Sequence, residues 1–390
     1  MDQILVMILC GGKGERIYPL TRDRSKPSVP FLGIYRIIDF SLSNCLNSGL
    51  RRIVLLTQHK SLSLERHIRV GWNIFHHESG GYIFSLPAQG RMGDYWYEGT
   101  ADAVLKNIYT LQKENPETIL ILSGDHVYKA DYREMIKFLH EKSADGVLLA
   151  KVVHRDDASR FGVIKADEGN KVIDFLEKPK NPPSIPNDPD HSLISMGVYL
   201  FRTPTLIRTL IKDARNPKSA HDFGKDILPL MIKERQIYTY FFQDYWEDIG
   251  TIDAFWEANM SFLSKTPPFD LHEKTWPIRT FQGQYPPSII QNSIIHNSII
   301  SSGCYIDTAH IKNSIISPGV KIGKKADIQD AIIFNDVVIG EKVQLKGVII
   351  DKLASIEDTA EIGLNKALDA KSFKISQRGI RIIPKGWRME

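Results

Sequence analysis

Three short segments of this 390-residue chain combine residue types that can do chemistry together. In the first, Cys10-Gly11-Gly12-Lys13-Gly14-Glu15-Arg16 is followed by Pro19-Leu20-Thr21 and Arg24-Ser25-Lys26-Pro27. Glycines leave backbone N–H groups open to close approach by an anion, and a helix start behind them would favour negative charge. Arg16 and Lys26 add fixed positive charge, so the pattern reads as a phosphate cradle. Its spacing is neither Gly-x-Gly-x-x-Gly nor Gly-x4-Gly-Lys-Ser/Thr. The second set is a pair of aspartates, Asp125 in Leu122-Ser123-Gly124-Asp125-His126 and Asp248 in Tyr245-Trp246-Glu247-Asp248-Ile249-Gly250. Taken singly, such an aspartate is ordinarily a helix cap or a turn residue. Two of them brought together could hold one hard cation such as Mg2+ against a triphosphate. The third segment is Glu177-Lys178-Pro179, where a lysine at a strand end is better placed to meet an anion than an ordinary solvated lysine.

These residues need a scaffold that gathers segments far apart in sequence. Apolar runs at Ile4 to Leu9, Ile53 to Thr57, Thr118 to Ser123, Gly146 to Val152 and Met196 to Phe201 read as buried strands. Amphipathic stretches at Asp102 to Gln112 and Tyr132 to Lys142 read as helices between them. Alternation of this kind predicts a mostly parallel sheet covered on both faces, with ligands beyond the carboxyl ends of the strands. The chemistry-bearing segments fall just past such runs.

After about Thr266 the character changes. Pro267-Pro268, Pro277 and Pro286-Pro287 mark an extended connection. Beyond it, Ile294, Ile300 and Ile306 are spaced by six, as are Ile316, Ile322 and Ile328, then Ile333, Ile339 and Leu345, then Ile350, Ile356 and Ile362. Corresponding positions recur every 17 residues (316, 333, 350), which predicts a parallel β-helix with one inward aliphatic per strand. The expected division is 1–266, a connection 267–287, and a β-helix 288–390.

Composition narrows the function classes. Fifty basic and 46 acidic residues are mixed along the chain, with no basic tail or face, which argues against a nucleic-acid partner. Three scattered cysteines, Cys10, Cys45 and Cys304, give neither a disulfide framework nor a zinc site. No run approaches a membrane span and the N-terminus lacks a leader pattern, so no membrane association and a cytoplasmic location are expected. His221-Asp222 has no nucleophile beside it and reads as a turn before a helix.

Gly11 to Thr21 followed by Lys26-Pro27 resembles the signature of the sugar-nucleotide pyrophosphorylases. Tyr35 to Phe40, Ser43 to Ser48, Trp96 to Val104, Ser123 to Tyr128, Phe175 to Pro179, Ser195 to Tyr199, His221 to Asp226 and Tyr245 to Thr251 are similar to the ADP-glucose pyrophosphorylase branch. The resemblance covers nearly the whole chain. It implies an α/β fold, a Rossmann-like mostly parallel nucleotidyltransferase sheet followed by a left-handed parallel β-helix. It also implies transfer of the adenylyl group of ATP to α-D-glucose 1-phosphate, with Mg2+, giving ADP-glucose and pyrophosphate. Residue by residue, Arg16, Lys26 and Asp125 match catalytic positions, and Asp125 and Asp248 match metal ligands. Gly11, Gly12, Gly14, Gln89, Gly99 and Thr100 match the nucleotide site. Tyr97, Gly162, Glu177, Lys178, Ser195 and Asp248 match the sugar-phosphate site. Arg36, Lys352 and Lys385 match effector-contacting positions, and a homotetramer, with or without a homologous regulatory subunit, is implied.

Three positions depart from the family pattern. Glu15 replaces a Thr or Ser, Gly90 replaces a second Gln after Gln89, and Ile34 replaces an activator-binding Lys. The rival readings are a pyrophosphorylase for another nucleotide, a non-catalytic regulatory subunit, and a hexapeptide acyltransferase. The last would need a catalytic histidine in the coils, and His296 and His310 have no supporting motif.

Overall fold

The structure is a computed structural model that describes residues 3–75, 78, 80–88, 96–186 and 188–388. The first strand, Ile4–Cys10, lies between Arg52–Thr57 and Thr118–Ser123 and is parallel to both. Its side chains alternate with the pleat. Ile4, Val6 and Ile8 join a core with Leu42, Leu64 and Leu139, and Leu5 and Met7 join a second core with Val104 and Leu206. Burial on both faces is what makes the run continuously apolar in sequence. Register places Cys10 opposite Thr57, and Leu9 opposite Ser123. The residues just past these strands therefore share one rim of the sheet.

The sheet is parallel across Tyr82–Pro87, Arg52–Thr57, Ile4–Cys10 and Thr118–Ser123. The long strand His191–Arg202 then enters antiparallel, pairing with Thr118–Ser123, Gly146–His154 and Gly162–Ala166. Its register shifts between Ser195 and Tyr199, a bulge that re-aims the intervening residues. Val172–Glu177 completes that edge, with Glu177 opposite Gly162. One expected helix is broken. Asp102 to Gln112 is two helices, Thr100–Leu105 and Ile108–Glu114. Asn107 ends the first by turning its side-chain amide back onto the carbonyl of Ala103, at 2.8 Å.

The extended segment after the last catalytic-side helix, Ile252–Ser261, lies along Ile37–Asn47. Arg279 N donates to Ser43 Oγ at 2.8 Å, and Thr280 Oγ1 donates to buried Asp39 at 2.7 Å. The first coil strand is Ile289–Gln291.

The coils stack in the register that the spacing predicts. Ile316 pairs with Ile333 and Ile333 with Ile350, Ile322 with Ile339 and Ile339 with Ile356, and Ile328 with Leu345 and Leu345 with Ile362. Each fully buried isoleucine contributes about 1.5–3 kcal/mol. The first coil departs from this pattern. Ile294, expected to point inward, is 68% exposed, and Ile295 pairs with Ile311 instead. That step is 16 rather than 17, and a one-residue change in a strand turns each side chain to the opposite face.

The two parts share a core. Phe31, Phe40 and Phe255 pack in one cluster with Ile315, Phe334, Ile349 and Ile382. Phe255 meets Phe334 edge-on, with ring centroids 6.2 Å apart.

Candidate active site

The glycine turn leaves the first strand at the shared rim. Gly14 has φ of 66°, and Thr21 Oγ1 donates to its carbonyl at 2.8 Å. A Cβ at Gly14 would lie 2.9 Å from the Thr21 methyl, so both backbone angle and space require glycine there. Behind the glycines stands a single 3-10 turn, Glu15–Ile17, rather than a helix. Positive potential at this turn therefore comes from side chains more than from a helix dipole. Arg16 packs over Gly250, and Lys26 opens a second turn at Lys26–Ser28.

Asp125 and Asp248 meet because two short strands pair antiparallel, His126–Tyr128 with Trp246–Asp248, in a register that puts His126 opposite Asp248. Lys26, only 7% exposed, places its ammonium between the carboxylates, 2.7 Å from Asp125 Oδ2 and 3.1 Å from Asp248 Oδ1. Ser123 Oγ donates to the other oxygen of Asp125. Burial by itself would raise the Asp125 carboxyl. Lys26, then His126, together with the hydrogen bonds from Lys26 and Ser123, hold it well below the usual carboxylate range. Burial would likewise lower Lys26, but the two aspartates outweigh it and raise its pKa. His126 Nε2 lies 3.6 Å from Asp125 and 3.9 Å from Asp248. The three residues present ligand atoms within 4.8 Å of one another, a donor set with two carboxylates that fits a hard divalent ion.

A cavity of about 680 Å³ opens here. Gly11, Gly12, Gly14, Arg16, Lys26, Tyr97, Gly99, Thr100 and Asp125 all line it, as does Glu15. Tyr97 is held by Gln58, whose Oε1 accepts from Tyr97 N at 2.7 Å, and by Asn107, which donates to its hydroxyl at 3.0 Å. Gly99 is sterically forced: a Cβ would sit 2.2 Å from the His221 carbonyl oxygen. Thr100 Oγ1 donates to Asp222 at 2.9 Å and accepts from Phe223 N, so it secures the cavity wall. Gln89 and Gly90 lie outside the described residues.

Of the residues matching the sugar-phosphate site, Tyr97 lines this cavity, whereas Gly162, Glu177, Lys178 and Ser195 are outside its lining. Glu177's carboxylate is flanked by Gly162 and Gly224, where a Cβ would come within 3.1 and 2.3 Å of Glu177 Oε2. Lys178 pairs with Glu177 at 3.0 Å, and its side chain is 64% exposed. Ser195 Oγ accepts from Gly197 N and donates to Tyr199 Oη at 3.3 Å. Gly197 backs onto His126, which joins this patch to the carboxylate pair.

Three site residues escaped the sequence reading. Gln58 follows the strand Arg52–Thr57, and the strand-end rule that selected Asp125 would have selected it. His126 follows Asp125 directly, but only strand register shows that it faces Asp248. Asp222 read as a turn residue. It does cap Phe223–Ile227, and it also lines the cavity.

Arg36 lies close enough to Lys352 to repel it at the junction of the two parts, and the backbone at Lys385 runs beside them. Arg36 donates to the Ser63 carbonyl at 2.9 Å, and Gly386, next to Lys385, donates its N–H to the Lys352 carbonyl. Burial, then Arg36 and Arg24, pushes Lys352 down to about 7 against the pull of Asp351 and Asp336. Burial also pushes Arg36 down to about 10, opposed by Asp39 and aided by Arg24 and Arg66.

Residues 5–265 match the family described as nucleotidyl transferase, and residues 288–383 match the GlmU-like C-terminal hexapeptide family. A protein of Vibrio cholerae named glucose-1-phosphate adenylyltransferase 2 is 45% identical over 100% of this chain and 99% of its own. Glucose-1-phosphate adenylyltransferases of Rhodopirellula baltica and Methylobacillus flagellatus are each 43% identical, over 99% and 97% of this chain and 91% and 92% of theirs. Similarity end to end at this level, over both the glycine turn and the stacked coils, places the chain in the nucleotidyl transferase family, among the glucose-1-phosphate adenylyltransferases.

Proposed function

We propose that this protein transfers the adenylyl group of ATP to α-D-glucose 1-phosphate, releasing pyrophosphate and forming ADP-glucose for α-glucan synthesis. The observation that carries this reading is one cavity edged by the glycine turn, Arg16, Lys26 and Asp125, in a chain similar along its whole length to glucose-1-phosphate adenylyltransferases. The nucleophile needs no protein base, because a sugar phosphate with a second pKa near 6 is largely a dianion at neutral pH. An oxygen of that phosphate forms the new bond to the α-phosphorus of ATP, and the bond to pyrophosphate breaks. The work of the protein is to align two anions that repel each other and to offset charge on the leaving group.

In this reading the backbone of Gly11, Gly12 and Gly14 cradles the triphosphate, and Arg16 and Lys26 stabilise pyrophosphate as it departs. Gln89, Gly99 and Thr100 border the nucleotide. Lys178 exchanges Glu177 for the incoming phosphate, freeing Glu177 to accept from sugar hydroxyls beside Tyr97, Gly162 and Ser195. Asp125 and Asp248 would hold Mg2+, which when bound supplies positive charge against the phosphates. Arg36, Lys352 and Lys385 would contact an anionic effector. The family resemblance supports a cytoplasmic homotetramer, with or without a homologous regulatory subunit. No helix among the described residues is long and apolar enough to cross a membrane.

The test is pyrophosphate release from glucose 1-phosphate with Mg2+, comparing ATP with UTP, dTTP and GTP. Release with ATP alone is the expected result and would make Gly90 a tolerated change. Preference for another triphosphate would overturn the adenylyl assignment. Silence with all four from folded protein would favour a regulatory subunit.

A further inference from the structure

The Lys26 ammonium takes one oxygen from each of the two carboxylates assigned to the metal, at 2.7 and 3.1 Å, and is almost fully buried. The other oxygen of Asp125 already accepts from Ser123. Asp125 thus has one oxygen on Lys26 and one on Ser123, Asp248 has one on Lys26, and an ion bridging the pair meets the ammonium that already sits between them. An ammonium and a divalent ion crowded onto the same two carboxylates repel each other, so each weakens the binding of the other. Lys26 has somewhere to go, since it lines the cavity together with Gly14 and Arg16, where the triphosphate is expected.

We propose that Lys26 is a resident counter-cation of the Asp125–Asp248 pair, which competes with the metal until phosphate oxygens draw it away. This rests on the functional reading above and adds an order to it. With Lys26 seated, the carboxylates are neutralised and bind free metal weakly. A metal–nucleotide complex brings both the replacement cation for the aspartates and the anionic partner for the lysine, so the exchange proceeds without exposing a bare charge. Metal and nucleotide therefore bind with positive coupling, and that coupling resides in Lys26. The same side chain then stands against the phosphates at the moment charge moves onto pyrophosphate.

The experiment measures Mn2+ binding to the full chain by electron paramagnetic resonance, with and without ATP. Wild type, Lys26→Met, Lys26→Gln and Lys26→Arg are compared, each checked for folding by circular dichroism. Without nucleotide, the Met and Gln variants are expected to bind Mn2+ on the order of tenfold more tightly than wild type, while Arg stays near wild type. The gain in Mn2+ affinity on adding ATP should be large in wild type and much smaller in the two neutral variants. Folded Met or Gln protein that binds free Mn2+ no better than wild type overturns the inference. Should Met fail to fold, Gln alone decides it. Failure of the functional reading looks different: wild type would show no ATP-dependent Mn2+ binding at all, while the nucleotide-free comparison would still decide the role of Lys26.

Discussion

At the scale of single residues, the site depends on charge held where water is scarce. Asp125 is kept ionised by Lys26 and Ser123, and Lys26 is kept protonated by two aspartates. Asp125→Asn or Lys26→Ala is expected to lower kcat by about 10²–10³, the usual cost of one charged contact to a reacting phosphate. Either folded variant turning over at the wild-type rate would refute the assigned roles. Lys352 gives a pH dependence of a different kind. It titrates at about 7 when folded, against roughly 10.4 in an unfolded chain. Between those values the unfolded state binds the extra proton, so stability rises with pH on this account. Below about 7 both states are protonated and the penalty for a crowded, half-buried charge is complete. Lys352→Met should thus raise Tm over wild type most at pH ~6, and by less at pH ~9. An equal shift at both, read by calorimetry, would contradict the placement of Lys352 beside Arg24 and Arg36.

At the scale of elements, the residues converge because strands end together. The strand-end rule drew attention to the glycine turn, Asp125 and Glu177, since the sequence of a strand buried on both faces is conspicuous, and the family resemblance gave them their roles. It could not show that Asp248 meets Asp125. That depends on a three-residue pairing, too short to leave a pattern, between Trp246–Asp248 and His126–Tyr128. Nor could it show the break at Asn107, where one side-chain hydrogen bond to Ala103 overrides a good helical period. The coil spacing was legible from Ile316 to Ile362 because aliphatic stacks on aliphatic every 17 residues. It failed at Ile294, where the first step is shorter by one residue. Arg24 Nη2 locks the two kinds of element together by donating to both oxygens of Asp351, at 2.7 and 2.8 Å, the two residues 4% and 1% exposed. Arg24→Ala, leaving Asp351 buried and unpaired, should cost about 3–5 kcal/mol in denaturant unfolding. The double variant Arg24→Met with Asp351→Leu should recover much of that loss. A double variant no more stable than Arg24→Ala would mean that the pair does more than neutralise itself.

At the scale of the whole molecule, the sheet domain and the coils are one cooperative body. Phe31, Phe40, Phe255 and Phe262 are core residues of the first part of the chain. Nothing local reveals that the cluster also takes in residues from Ile315 to Ile382. The contact is a shared, buried apolar cluster, the opposite of a mobile linker between independent units. A chain ending at residue 287 would uncover Phe255 and its neighbours, so it is expected to aggregate or to bind a hydrophobic dye strongly. The intact protein should melt in a single calorimetric transition. A soluble, dye-silent fragment with native circular dichroism would contradict the shared core.

The C-terminal segment reaches back to the turn that follows the glycine loop. Lys374 donates to the Tyr18 carbonyl at 2.9 Å, Arg22 donates to that of Lys385 at 2.7 Å, and Arg24 waits for Asp351, 327 residues further on. During synthesis the chain emerges in order, at roughly 5–20 residues per second, so Arg24 spends about 16 to 65 s without its partner. The first segment to leave the ribosome is therefore among the last to reach its final shape. A polypeptide released early would carry the glycines and Arg16 without the struts that fix them.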